Sequence, residues 1–150
     1  MSRKRVFSGA LTTVLAIALT VALAACGGAK ATEVKVSLKE WSITSDVAQV
    51  RAGKVQFVVA NAGKEPHEFV IIKSDLGVDA LPVVEGKVDE QRVQVIDEIE
   101  PFAGGETEKI TVDLKAARYI LICNIVEKTP GEPVESHYLQ GMRTAFTVSP

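Results

Sequence analysis

Glu33-Val34-Lys35-Val36-Ser37-Leu38 alternates polar and apolar residues along its whole length. A period of two puts Val34, Val36 and Leu38 on one face, so the stretch reads as a half-buried β-strand. Further short runs rich in Val, Ile, Thr, Tyr or Phe follow at 55–60, 68–72, 93–96, 107–114, 119–123 and 144–148. Gly, Pro, Asn or Asp bound each of them, which is strand punctuation. Ala52-Gly53, Asn61-Ala62-Gly63, Glu85-Gly86 and Ala103-Gly104-Gly105 supply turn signals. No internal repeat appears, and no helical stripe beyond a short turn within 74–84. Seven or eight strands with this punctuation predict an all-β, Greek-key antiparallel β-sandwich over residues 33–150. Trp41, at the end of the first strand, reads as a core or core-edge residue.

Upstream of the strands the chain changes character. Arg3, Lys4 and Arg5 precede an uncharged apolar run from 6 to 23, which ends in Ala24-Ala25-Cys26. Those are the regions of a secretory signal. The tetrapeptide Leu23-Ala24-Ala25-Cys26 resembles a bacterial lipoprotein box. That resemblance implies a signal peptide over 1–25, a lipidated Cys26 and a tether over 26–32. The other reading of the run is an uncleaved anchor, since its 18 residues just reach the length of a marginal spanning helix. Either way the sandwich is expected outside the cytoplasm, beside a membrane.

Charge and cysteine use narrow the function classes. Without Arg3, Lys4 and Arg5, the 17 Lys+Arg become 14 against 19 Asp+Glu, a net charge of −5 for residues 26–150. No basic stripe or arginine cluster offers a nucleic-acid surface. With Cys26 assigned to lipid, Cys123 has no intrachain partner for a disulfide. A lone thiol in an oxidising compartment needs something to occupy it, and a metal does so.

The chain has two His, two Cys and two Met. Beyond Met1 and Cys26, all of them fall into one set: His67 after a turn, Cys123 at the end of a strand, then His137 and Met142. Two imidazoles, a thiol and a thioether suit one type 1 copper ion, bound strongly by the first three and weakly by the fourth. Loops and strand ends of a sandwich gather at a pole, where these residues are expected to converge.

The chain resembles the cupredoxin family, and within it small bacterial cupredoxin-like lipoproteins. The resemblance rests on Ala52-Gly53, on Asn61-x-Gly63…His67-Glu68-Phe69, and on Tyr119…Cys123-Asn124-Ile125…His137-Tyr138…Gly141-Met142…Phe146-Thr147-Val148. It implies His67 and His137 as imidazole ligands, Cys123 as the thiolate and Met142 as the axial thioether. It also implies electron exchange through an exposed edge of His137, with transient redox protein partners. Two features depart from the family. Thirteen residues separate Cys123 from His137, and this polar, turn-rich insert either bulges outward or disturbs the site. Glu68 follows His67 where family members often carry Asn, and a solvated carboxylate is expected there.

The leading expectation is a membrane-tethered electron carrier cycling Cu(II)/Cu(I). A copper storage or delivery protein of the cell envelope is the alternative, and a metal-free interaction module the third reading. Catalysis is not expected: multicopper enzymes need further His clusters, and both His are already used. No Ser-His-Asp set, phosphate-cradling loop or paired carboxylates stand out either.

Overall fold

The computed structural model describes residues 30–150, so the expected signal peptide (1–25), the expected lipidation site Cys26 and most of the expected tether (26–32) lie outside the described residues. Thirteen strands and one short helix follow in order. They are β1 (Thr32–Lys39), β2 (Ser42–Ser45), β3 (Gln49–Arg51), β4 (Gly53–Asn61), β5 (His67–Lys73), β6 (Val83–Val84) and β7 (Lys87–Val88). After them come β8 (Gln94–Phe102), β9 (Thr107–Leu114), β10 (Ala117–Ile122), β11 (Val126–Glu127), β12 (Glu135–Ser136), α1 (His137–Gln140) and β13 (Arg143–Ser149). A 3-10 turn at Glu90–Arg92 precedes β8.

Two sheets make the sandwich, one in the order β2-β1-β4-β9 and one in the order β3-β13-β10-β5-β8. The alternating strands behave as their pattern dictates. β4 turns Val55, Phe57 and Val59 inward, against Val34, Val36 and Leu38 of β1 and Phe69, Leu121 and Phe146 of the facing sheet. Phe57 meets Phe69 and Phe146 with ring centroids 5.4 Å apart in both pairs. The expected sandwich therefore stands, with two pairs inside it that run parallel: β1 with β4 and β13 with β3. Each pair joins strands that are not consecutive in the chain, so a hairpin count alone does not reveal it.

Two strands break the alternation. Phe69–Ile72 and Tyr119–Ile122 are buried continuously, because the sheet is covered on its outer face as well. There Val70, Ile72, Ile120 and Ile122 pack with Leu81, Val88 and Tyr138 as a second core. The cover is the segment between β5 and β8, which contains the β6–β7 hairpin. Strands buried on both faces read as unbroken apolar runs, and that is how 68–72 and 119–123 read. Among the described residues no helix is long and apolar enough to cross a membrane.

Candidate metal centre

Each expected ligand is delivered to one pole of the sandwich by a local device. His67 opens β5, at a register shift in its pairing with β8; such irregularities re-aim a side chain. The loop before it is tied by Asn61, whose side chain donates to Glu65 O (2.8 Å) and Phe102 O (3.1 Å) and accepts from Gly63 N (3.0 Å). Cys123 follows β10 directly, and its N–H donates to Met142 O at 3.1 Å. His137 begins α1, whose start is capped by Ser136 Oγ accepting from Leu139 N. This single turn brings Met142 N back onto His137 O at 3.0 Å. The spacing His137-x4-Met142 is thus one closed helical turn, with the Met142 backbone joining His137 to Cys123.

The donor atoms converge. His67 Nδ1 and His137 Nδ1 face each other at 3.2 Å, and Cys123 Sγ lies 3.3 Å from His137 Nδ1. The three ligand atoms lie within 4.8 Å of one another. His67, Cys123, His137 and Met142 are all 0% exposed, and Met142 shares the inner core with Cys123. A four-coordinate ion with metal–nitrogen bonds of about 2.0–2.1 Å sets two nitrogen ligands roughly 3.1–3.5 Å apart. The observed spacing therefore fits an ion between them. The two Nδ1 atoms and the Cys123 sulfur face one another inside the core, at distances of 3.2 and 3.3 Å. That is the arrangement of ligands, and the His₂Cys set fits one type 1 copper ion.

The electrostatics agree. Burial holds both imidazoles below their ordinary 6.5, with His137 reinforcing the effect on His67, so both are neutral ligands at neutral pH. Burial pushes the Cys123 thiol up to about 11, against the smaller opposing effect of the Ile125 and Glu68 N–H groups. The Glu68 N–H stands 3.4 Å from the sulfur. Without a metal this thiol keeps its proton at neutral pH; binding must drive the proton off.

Sequence reasoning missed the groups around the ligands. Asn124 is fully buried: its Oδ1 accepts from Val88 N (2.7 Å), and its Nδ2 donates to Val88 O (3.0 Å) and Glu90 Oε1 (2.7 Å). Glu68 is not a solvated carboxylate. It is partly buried and accepts from Asn124 N at 2.7 Å, and desolvation raises its pKa. The largest departure concerns His137. An exposed ring edge was expected, but the imidazole is sealed, because Trp41 stands edge-on to it with centroids 5.1 Å apart. Trp41, read as core or core-edge, packs on the inner core and is partly exposed, so it is an edge residue. Beside it, Glu40 Oε1 accepts from Lys64 N (2.5 Å) and Glu65 N (2.9 Å). Those bonds hold its pKa down at about 2. No local signal in the sequence places this corner over the histidines.

The insert between Cys123 and His137 bulges outward. β11 and β12 pair with each other, and His137 N donates to Ile125 O at 3.0 Å. The loop is therefore closed off before it reaches the ligand. Its flank leans on the β6–β7 hairpin through Ser136 Oγ to Gly86 O (2.5 Å) and an exposed Lys128–Glu85 ion pair (2.9 Å).

Comparisons with known proteins agree with this architecture. No protein family model matches the sequence. The crystal structure of dithionite-reduced auracyanin from the photosynthetic bacterium Roseiflexus castenholzii superposes with a TM-score of 0.56 at 20% identity, covering 80% of this chain and 98% of that one. Auracyanin B superposes with a TM-score of 0.54 at 21% identity, covering 80% and 90%. Among curated sequences, the iron uptake system component EfeO of Yersinia pseudotuberculosis is 26% identical over 100 residues, 67% of this chain. The match spans only 22% of that protein's length. The fold likeness and the ligand cluster bear out the resemblance seen in the sequence: this chain has the cupredoxin fold.

Proposed function

We propose that the protein is an electron carrier of the cell envelope, with one type 1 copper ion held by His67, Cys123 and His137 and, as the weak axial ligand, Met142. The observation that carries this reading is the buried, mutually facing set of two Nδ1 atoms and one Sγ. When bound, copper supplies a one-electron Cu(II)/Cu(I) couple. His67 is fixed by strand pairing, Cys123 by its bond to Met142 O, and His137 by a capped helical turn. Ligands so fixed keep their places in either oxidation state, which keeps reorganisation small. With His137 sealed, partly exposed Trp41 is the aromatic contact between that imidazole and the surface, and electrons pass there.

The partner is a redox protein met transiently, as such encounters bury little area. Glu40, Glu127 and Glu135 all act on Glu65, and Glu127 and Glu40 also act on His137. This acidic surround of the metal pole suits a partner with a basic face and an association that weakens with salt. A lipid on Cys26 would tether the carrier to its membrane. The enclosure of the site argues against copper delivery, which needs a ligand within a recipient's reach.

Adding Cu(II) to the purified full chain tests the reading. An intense visible thiolate-to-copper band is expected, lost in Cys123→Ser and weakened or shifted in Met142→Ala. A colourless protein that binds Cu(I) tightly would instead show copper handling, and failure to bind either ion would leave an interaction module. A d¹⁰ ion such as zinc gives no such band, so colour also separates copper from zinc.

A further inference from the structure

We propose that Glu40 is a positioning residue of the metal centre. Its carboxylate keeps the His67 proton on Nε2, so that Nδ1 is free for the metal, and its charge favours the divalent over the monovalent ion. The inference deepens the copper-carrier reading and rests on it for the second half.

A neutral imidazole carries one N–H, and which nitrogen bears it is set by the surroundings. For His67 to serve as a ligand through Nδ1, the proton must sit on Nε2. That Nε2 is buried and has no hydrogen-bond partner. Glu40 Oε1 faces it at 3.7 Å, beyond hydrogen-bond reach. At that separation the carboxylate charge attracts the positive end of the Nε2–H dipole, an attraction little screened beside a buried ring. A carboxylate behind a ligating histidine fixes the tautomer and ring orientation and makes the imidazole a stronger donor.

Glu40 is held where this role needs it. Lys64 N and Glu65 N both donate to Oε1, tying the β1–β2 corner to the loop that leads into His67. The sequence also makes room for it. A Cβ at Gly63 would collide with Glu40 Oε1 and stand 2.8 Å from its Cδ, so any larger residue at 63 displaces the carboxylate. Among the described residues no carboxylate lies within 4.0 Å of the other histidine, and Trp41 covers its ring. One corner, Glu40-Trp41, thus treats the two imidazoles differently, setting a carboxylate beside one and an aromatic ring against the other.

Two variants of the full chain separate these effects. Glu40→Gln keeps an oxygen for Lys64 N and Glu65 N but removes the charge, whereas Gly63→Ala keeps the charge and displaces it. In the metal-free protein, imidazole ¹⁵N chemical shifts should show His67 as the Nε2–H tautomer, giving way to a mixture in both variants. In the copper-loaded protein, Glu40→Gln should lower the Cu(II)/Cu(I) affinity ratio on the order of tenfold, which is a rise in potential of about 59 mV. A residue that only anchored the loop would leave the Gln variant's tautomer and potential at wild-type values. An unchanged His67 tautomer in both variants overturns the proposal, whatever copper does. If the wild type takes up no copper, the carrier reading fails while the tautomer still decides whether Glu40 positions His67.

Discussion

Metal-free protein should lose stability in alkali through one thiol, and the size of the loss follows from burial. Cys123 is held at about 11, against an ordinary thiol at 9.0. Because the native value is the raised one, the neutral thiol favours folding. The contribution is complete below pH 9.0 and is lost as pH climbs toward 11. Two units at about 1.4 kcal/mol each give a loss of roughly 3 kcal/mol, a large share of the 5–15 kcal/mol typical of a domain. Urea unfolding of reduced, metal-free protein at intervals from pH ~8 to ~11 measures it, beside Cys123→Ser, whose hydroxyl does not titrate in that range. Tyr119 and Tyr138 are also raised by burial, but both proteins share them, so the difference between the two curves isolates the thiol. Copper-loaded protein should lack the slope, since its sulfur has already given up the proton, and loading at neutral pH should release that proton to a dye. Parallel curves for wild type and Cys123→Ser would refute the reasoning, because they would mean that the sulfur is not desolvated.

Acid should act through the histidines with the opposite sign. Both are depressed below 6.5, so their contribution is present above that pH and lost as pH falls below it, by up to about 1.4 kcal/mol per unit for each. Urea midpoints between pH ~7 and ~5 should fall accordingly, and His67→Gln should flatten the profile; an equal slope in the variant would count against it. Asn124→Ala strips Val88 of both its side-chain partners and should cost about 2–4 kcal/mol in the same assay, with a loss under about 1 kcal/mol being the contrary result. Replacing 128–134 by Asn-Gly, a turn that suits a two-residue hairpin, should leave the copper band in place, because β11 and β12 close the insert before His137. Loss of the band would show that the insert shapes the site.

Much of this protein was legible in its sequence, for reasons that differ by element. Val34, Val36 and Leu38 announced β1 because one face of it is wet, and the apolar run at 119–122 announced β10 because neither face is. β2 and β3 escaped notice because each buries a single residue, Ile43 or Val50, which leaves no period to detect. α1 is four residues long, too short for a stripe. The ligands could be picked out by residue type alone, since His, Cys and Met are scarce in this chain. Their surroundings could not: Glu40 reaches His67, and Trp41 reaches His137, only because β1 and β4 run parallel and carry the corner over the pole. An acid and a tryptophan after a strand look the same in sequence whether they cover a metal or face water.

Tyr138 stands next to His137 and belongs to the outer core, where its hydroxyl donates to Val78 O at 2.6 Å. Arg143, just past Met142, pairs with Asp79 on the same segment. The metal loop is therefore bolted at both ends to the outer cover between β5 and β8. The backbone that carries His137 is thereby tied to that cover, because the neighbouring Tyr138 is seated in it. Residence time of a bound ion should track the local opening of 74–93, which hydrogen exchange can follow, more closely than it tracks the strength of the four donors. Two forms of this protein with the same ligands and the same equilibrium affinity can still differ widely in how fast they give up their metal.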